Sequence, residues 1–182
     1  KRNDNILFPS FFVSREMGDG NSLSLSYTQS INRPLYQMVN PFVFHLSETS
    51  YKEGNPDLKG ELLYNAGLQF MLKSKYIFSL SALFIDRKIN EIYEQMGEYQ
   101  TRYMLRNNGT TKRLTLYMGI PFTWGIWNCR NNVELSQSWY QNSAKCVNDF
   151  GVVLSSYNRI RLSKQLTAMS NLRYVRHYKQ LF

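Results

Sequence analysis

Apolar and small polar residues alternate along most of this chain, and the alternation has a period of two. Between Ser22 and Thr28, the apolar residues Leu23, Leu25 and Tyr27 alternate with serines. Three later stretches repeat the pattern, with apolar positions at Tyr64, Ala66, Leu68, Phe70 and Leu72, at Leu114, Leu116, Met118 and Ile120, and at Trp127, Cys129, Val133, Leu135 and Trp139. This period predicts β-strands that turn one face toward an apolar environment and the other toward water.

The pattern predicts strands at 6–17, 21–32, 61–73, 76–92, 98–120, 125–140, 148–162 and 165–179. Tight turns are predicted at 18–20, 73–75, 121–124 and 163–164, and longer links at 33–60, 93–97 and 141–147. Short turns at one end and longer loops at the other are typical of transmembrane barrels, whose strands need about 9 to 11 residues to cross a bilayer. We therefore expect an all-β, antiparallel up-and-down meander of about eight strands, forming a segment of a transmembrane β-barrel.

The dipeptide Asn108-Gly109 offers an alternative for the fifth strand. Asn-Gly is the preferred pair for a two-residue type I′ hairpin, which would divide 98–120 into two strands. We favour one interrupted strand, and the hairpin stays open as the alternative.

Charge and composition exclude some classes of protein. The chain has 22 Lys and Arg against 13 Asp and Glu, for a net charge of +9, but its basic residues are scattered singly. This favours solvated or lumen-facing positions over a nucleic-acid partner. No stretch approaches the roughly 18 apolar residues of a membrane-spanning helix. The first residue is Lys1 and no signal-peptide pattern precedes the strands, which suggests a segment of a longer protein.

Residues suited to catalysis or metal binding are few. His45 and His177 lie far apart, and neither belongs to a catalytic or metal-binding motif. We expect no enzyme activity, no catalytic residues, no metal and no cofactor.

Cys129 and Cys146 are either disulfide-bonded or two unpaired thiols, and the sequence leaves both open. A solvated loop is the favoured reading of the acidic cluster Asp86, Glu91, Glu94 and Glu98. Membrane-interface girdles are the favoured reading of Trp124, Trp127, Trp139, Tyr140 and Tyr157, against stacking of sugars or bases.

The most specific sequence lies between Ser22 and Glu61. Ser26-Tyr27 leads to Asn32, Arg33 and Pro34, then to Tyr36, to Asn40, Pro41 and Phe42, and to Gly54, Asn55, Pro56 and Leu58. This series resembles the barrel region of TonB-dependent receptors and the related outer-membrane β-barrel family common in Bacteroidetes. One departure is Gly60, which stands where that family usually has proline.

The resemblance implies a barrel without its plug domain, spanning residues 1–182, in the outer membrane of a Gram-negative cell. It would form the wall and extracellular loops of an importer of glycans or metal chelates. The implied partners are outer-membrane lipid, the rest of the barrel and plug, the TonB complex acting through the plug, and a surface lipoprotein. The alternatives are a soluble β-sandwich adhesin or carbohydrate-binding module, and a barrel enzyme.

Within the motif, a structural role is expected for the Pro, Gly and Asn residues. Pro34, Pro41 and Pro56 fix an extended, turning path, and Gly54 can adopt a positive φ. The alternative is a ligand-facing loop, whose contacts would come from Tyr36, Asn40, His45 and Tyr51.

Overall fold

A computed structural model describes residues 6–143 and 145–176. Its strands are β1 (Ser10–Gly18), β2 (Asn21–Asn32), β3 (Val43–Ser47), β4 (Ser50–Glu53), β5 (Glu61–Leu72), β6 (Tyr76–Met96), β7 (Gln100–Trp124), β8 (Trp127–Asn142), β9 (Cys146–Arg161) and β10 (Thr167–Arg176), and its helix is α1 (Tyr36–Val39). The end of the last predicted strand, His177 and Phe182 lie outside the described residues. Within the described ranges, no helix has the length and apolar character needed to span a membrane.

The strands form one sheet in the order β1-β2-β5-β6-β7-β8-β9-β10, in which every neighbouring pair is antiparallel. The predicted all-β meander is therefore confirmed, with boundaries within a few residues for most strands. Among the described strands the sheet is open, and β1 and β10 are its edges. Because there is one sheet rather than two packed sheets, the sandwich alternative is not the observed fold.

The register aligns leucines across five neighbouring strands. Leu25 lies opposite Leu68, which lies opposite Leu80, and the series continues through Leu116 to Leu135. We call these five residues the leucine row. Leu25 is 46% exposed, and Leu68 and Leu80 are each 43% exposed, so no other part of the described chain covers this face. A contiguous apolar surface of this kind marks contact with a partner or a membrane.

The opposite face of the same strands is polar. Ser26, Ser81, Thr115 and Ser136 share one row, which also contains Gly67. Ser136 is only 2% exposed, so some of these small side chains are covered by neighbours on the sheet. Both faces of the sheet are open, since Ser81 and Gln69 on the polar face are also exposed. The apolar face therefore packs against no core, unlike the apolar face of a sheet in a water-soluble domain.

The predicted turn at 121–124 is wrong, because β7 continues to Trp124 and the turn lies at Gly125, with φ 54°. Pro121 pairs with Arg130 of β8 but lies beyond the last β6 partner of β7, Ile77 opposite Gly119. A missing N–H is tolerated where a strand has a neighbour on only one side.

The predicted link at 93–97 is also wrong, since β6 runs to Met96 and turns at Gly97, with φ 80°. β5 pairs with β6 only as far as Asp86, and β8 pairs with β7 only from Gly109 onward. Residues 87–108 therefore form a two-stranded extension beyond the rest of the sheet, which we call the protruding hairpin.

The single-strand interpretation of Asn108-Gly109 is confirmed. Gly109 lies within β7 and pairs with Lys88 on one side and Asn142 on the other. The register between the two strands is irregular here. β6 has one extra residue between Ile85 and Lys88, where Arg87 has φ 56°, and β7 has one extra residue at Asn108.

The sequence pattern missed the hairpin β3–β4, which lies inside the predicted link 33–60. β4 adds in parallel to the edge of β7, with Ser50 opposite Thr101 and Glu53 opposite Met104. This edge is free because β8 does not reach the protruding hairpin, so the link supplies the missing neighbour.

Candidate functional site

The motif around Gly54-Asn55-Pro56 forms a strap, defined here as residues 54–60, which runs from β4 to β5. β4 lies beside β7, whereas β5 lies beside β6, so the strap crosses the base of the protruding hairpin. It thereby joins the long link to both strands of that hairpin.

Gly54 is required by a close approach of two backbone segments. A Cβ atom at this position would lie 1.9 Å from the carbonyl oxygen of Asn40 and 2.8 Å from its carbonyl carbon. The next residue, Asn55, donates its backbone N–H to the carbonyl of Met38 at 2.8 Å. Gly54 is not among the residues with positive φ, so the expected backbone explanation is wrong and the steric one replaces it.

Two asparagines fasten the strap to β7. The Asn55 side chain donates to the carbonyl of Leu105 at 2.8 Å. Asn107 accepts the backbone N–H of Lys59 at 2.7 Å, and its amide donates to the carbonyls of Lys59 and Arg87, each at 2.8 Å. Asn107 therefore satisfies backbone groups on both the strap and β6, which would otherwise lose hydrogen bonds.

The end of the strap is buried. Leu58 is 0% exposed and Leu62 is 5% exposed. A Cβ atom at Gly60 would lie 2.7 Å from the Ile31 side chain, so glycine allows the strap to pack against β2. This is a physical reason for glycine at the position where the resembling family usually has proline.

Glu61 anchors the start of β5 and is 4% exposed. Its carboxylate accepts from the Asn32 side chain at 2.9 Å and from the backbone N–H of Ile89 at 2.8 Å, and Lys88 lies 3.3 Å away. Burying a carboxylate costs free energy unless it is paired and hydrogen-bonded, and these three partners meet that condition.

A polar cleft of about 790 Å³ lies between the strap and the protruding hairpin. Its charged lining consists of Lys59, Arg87, Arg102, Arg106, Glu53 and Asp57. Basic side chains outnumber acidic ones among these lining residues. Arg87, Arg102 and Arg106 also pair with carboxylates, whereas Lys59 forms no ion pair in the described part of the chain, so its charge favours a ligand that carries negative charge. Arginine guanidinium groups also suit bidentate recognition of carboxylate or phosphate.

Arg102 is the centre of the ion pairs at the cleft. It contacts Glu94, and it lies 3.3 Å from Glu53. Arg106 lies 2.8 Å from the other oxygen of Glu94, and Lys52 pairs with Glu91 at 2.6 Å. The network joins β4 to both strands of the protruding hairpin and so holds one wall of the cleft.

The Glu94 carboxyl lies in the protruding hairpin, and its pKa falls below the ordinary value of 4.5. The hydrogen bond from Arg102 is the main cause, burial opposes it, and the positive charges of Arg106 and Arg102 add to it. The pKa of Arg102 is raised for the reciprocal reason, chiefly by its hydrogen bond to Glu94.

A lowered folded-state pKa means that the Glu94 pairing contributes its full stability above pH 4.5 and loses it as the pH falls through the folded-state value. We expect backbone amides at 92–104 to exchange faster with deuterium at pH 3.5 than at pH 7, after correction for intrinsic exchange. Glu94→Gln removes this pH dependence, and Glu98→Gln at the hairpin turn retains it. Equal pH dependence in the two variants would contradict the assignment.

The four residues proposed to face a ligand are spread along the link. His45 and Tyr51 meet across the β3–β4 hairpin, with ring centroids 6.1 Å apart. Tyr36 is 76% exposed at the start of α1, and Asn40 uses its backbone to close the helix and to contact Gly54. None of the four lines the cleft. A ligand-contacting role for them stays a prediction.

The rest of the motif surrounds the strap. Asn32 binds Glu61, Pro56 lines the cleft, and Phe42 is 78% exposed. Arg33 and Pro34 lead out of β2, and Pro41 leads into β3. The basic cleft residues were not singled out from the sequence. Arg102, Met104 and Arg106 occupy every second position of β7 and so share one face of the strand. This period of two was the sequence signal that could have identified the two arginines as neighbours.

Of the four acidic side chains predicted to form a solvated loop, Glu98 is exposed at the turn of the protruding hairpin, and the other three form ion pairs. Glu91 and Glu94 make the ion pairs above, and Asp86 lies 3.5 Å from Arg87. In the described part of the chain, no group of three or more His, Cys, Asp or Glu side chains has the arrangement to hold a metal ion.

The two cysteines are unpaired, which decides between the two alternatives. Cys129 is buried opposite Asn158, whereas Cys146 is exposed at the other end of β9. Twelve residues of strand separate these positions, or about 40 Å, far beyond the Cα separation of a disulfide.

We expect a membrane-impermeant maleimide to label Cys146 on intact cells. Cys129→Ser retains the labelling and Cys146→Ser abolishes it, and labelling lost in both would contradict this placement.

Comparison with known protein families explains why an apolar face is exposed. The model described as "Outer membrane protein beta-barrel family" matches residues 1–182. The chain belongs to this family. A comparison with curated proteins gave no match.

Membership in the outer-membrane β-barrel family places the protein in the outer membrane, as predicted. The leucine row then faces lipid and the serine-rich face turns toward the barrel interior. In such barrels the longer loops are extracellular. The strap, the protruding hairpin and the cleft therefore lie at the extracellular end.

Proposed function

We propose that this outer-membrane β-barrel protein is the wall and extracellular mouth of a TonB-dependent receptor that imports an anionic nutrient, either a glycan or a metal chelate. The observation that carries the proposal is the cleft at the extracellular end, in which Lys59, Arg87, Arg102 and Arg106 outnumber Glu53 and Asp57. The resemblance of the strap motif to TonB-dependent receptors supports the mode of uptake.

The strap supports the same role through its position. It ties the extracellular link to β7 with hydrogen bonds of 2.7 to 2.8 Å at Asn55 and Asn107, and Asn107 also binds the Arg87 carbonyl of β6. A rigid mouth keeps its basic side chains in place and so reduces the entropy lost when a ligand binds. In this proposal a plug and the remaining barrel complete the channel, TonB supplies energy through the plug, and a surface lipoprotein delivers the nutrient.

The test uses cells with the intact gene, cells with an in-frame deletion, and cells without TonB. Each strain is grown with single polysaccharides as the carbon source and with single ferric hydroxamate or catecholate chelates as the iron source. We expect one probe to support growth only when the gene and TonB are both present. Identical growth of the intact and deleted strains on every probe would count against import.

Within that assay, Lys59→Gln tests the cleft. The Lys59 side chain is exposed, and in the described part of the chain it forms no ion pair. We expect the half-saturating concentration of the active probe to rise about fivefold, the effect of about 1 kcal/mol. Lys164→Gln, in the short turn at the opposite end of the barrel, leaves the half-saturating concentration unchanged. The proposal includes no catalytic step, and a hydrolase activity of the purified protein would contradict that part.

A further inference from the structure

Two alanines interrupt the apolar face beside the leucine row. Ala66 on β5 lies directly opposite Ala82 on β6. Their neighbours in this row are Tyr27 on β2 and Leu114 on β7, both much larger. The two methyl groups therefore leave a hollow in the lipid-facing surface, of about 370 Å³.

Aromatic rings form the walls of this hollow. Tyr27, Tyr64, Phe84 and Trp139 line it, and Tyr64 and Phe84 contact each other with ring centroids 5.7 Å apart. The lining extends over five neighbouring strands from β2 to β8, which is about 19 Å at the usual strand spacing. The hollow is thus an elongated apolar groove across the strands.

Lys112 lies on β7, along the side of the groove nearer the extracellular loops. It shares a row with Phe84 and Trp139, and its ammonium group lies 5.8 Å from the centre of the Phe84 ring. A lysine on a lipid-facing surface places its aliphatic stem against apolar groups and directs its charge to the headgroup level. Arg113 also borders the groove, but its guanidinium group binds the Ser138 hydroxyl on the opposite face of the sheet. The groove therefore combines an apolar channel with the charge of Lys112 along its extracellular side.

We propose that this groove holds one acyl chain of a phosphate-bearing lipid of the outer leaflet, whose phosphate pairs with Lys112. The face meets bilayer rather than water, so an occupant must be apolar along its length. An unfilled hollow would forfeit the dispersion contacts of its lining. The elongated shape suits an unbranched chain, and the positive charge of Lys112 complements a phosphate.

The experiment measures lipid binding to the full-length protein, purified in non-ionic detergent, by native mass spectrometry. The probes are dipalmitoyl phosphatidic acid and dipalmitoylglycerol, which share acyl chains and differ in the phosphate. We expect Lys112→Gln to weaken phosphatidic acid binding about fivefold, from about 1 kcal/mol per basic residue near a lipid surface. Its binding of dipalmitoylglycerol is unchanged.

A second variant tests the groove itself. Ala82→Leu fills the hollow and weakens binding of both probes severalfold, whereas Ala168→Leu, on the same face but distant from the groove, leaves both unchanged. Ala82→Gly deepens the hollow and retains binding. Heat-dependent gel migration checks that each variant is folded.

Three results would overturn the proposal. Equal binding by Ala82→Leu and Ala168→Leu would show that the groove holds no lipid. Equal weakening of both probes by Lys112→Gln would remove the phosphate contact. Loss of a dimer in Ala82→Leu, with lipid binding intact, would assign the face to a second copy of the chain. None of these results depends on nutrient import.

Discussion

Replacing Leu68 by arginine is expected to lower the free energy of unfolding of the membrane-inserted protein by about 2 to 4 kcal/mol, the cost of a basic side chain on the lipid face near the bilayer midplane. Leu68 lies in the middle strands of the leucine row, between Leu25 and Leu80, and is 43% exposed. The measurement is urea unfolding of the full-length protein in lipid vesicles.

The adjacent residue supplies the control. Gln69 lies on the polar face, between Ser24 and Ser79, and is exposed. Gln69→Arg is expected to change the free energy of unfolding by less than about 1 kcal/mol, because its side chain reaches the aqueous interior. Equal losses in the two variants would mean that the apolar face is not the one that meets lipid.

Gly54→Ala is the second change with a large expected effect. The added Cβ would overlap the Asn40 carbonyl oxygen, 1.9 Å away, and both contacts are backbone atoms that cannot rotate aside. We expect a loss of about 3 kcal/mol, at the upper end of overpacking costs. Because the strap lies at the extracellular end, the loss appears as faster deuterium exchange at 54–60 and 105–107.

Gly119→Ala is the matched control for that variant. The nearest atom to a Cβ at Gly119 is the Tyr117 hydroxyl at 3.4 Å, which is an ordinary contact with a movable side chain. We expect its exchange at 54–60 to match that of the unaltered protein. If Gly54→Ala also leaves this segment protected, the close approach does not determine the strap conformation.

The meander could be predicted because its determinants are local. Along β2 and β5 each residue faces either lipid or the interior, so the period of two is written directly into the sequence. The turn at Gly18 to Gly20 was predictable for the same reason, since Gly18 and Gly20 adopt φ values of 79° and 73°. Pro121 misled the prediction because its place depends on where β6 begins, at Tyr76, which is not a local property of the sequence around Pro121.

The hairpin β3–β4 and the cleft depend on contacts between distant residues. β4 pairs with residues 101–104, and the carboxylate of Glu94 finds its partners in Arg102 and Arg106. Read alone, acidic residues near 93–97 resemble a solvated loop, because nothing local shows that arginines stand opposite them. The strap motif was recognisable from its residues in the sequence. The steric need for glycine at position 54 was not, because it depends on where the fold places the Asn40 backbone.

The strap also sets an order of assembly. Its hydrogen bonds to Leu105 and Asn107 join residues 50 and 48 positions apart in sequence, whereas most strand pairs form between neighbours along the chain. Contacts of such separation carry a larger loop-closure entropy than contacts between neighbouring strands, so we expect them to form later. The extracellular mouth is therefore completed after β6 and β7 have paired, and a barrel intermediate arrested before that step would have its wall but no finished cleft.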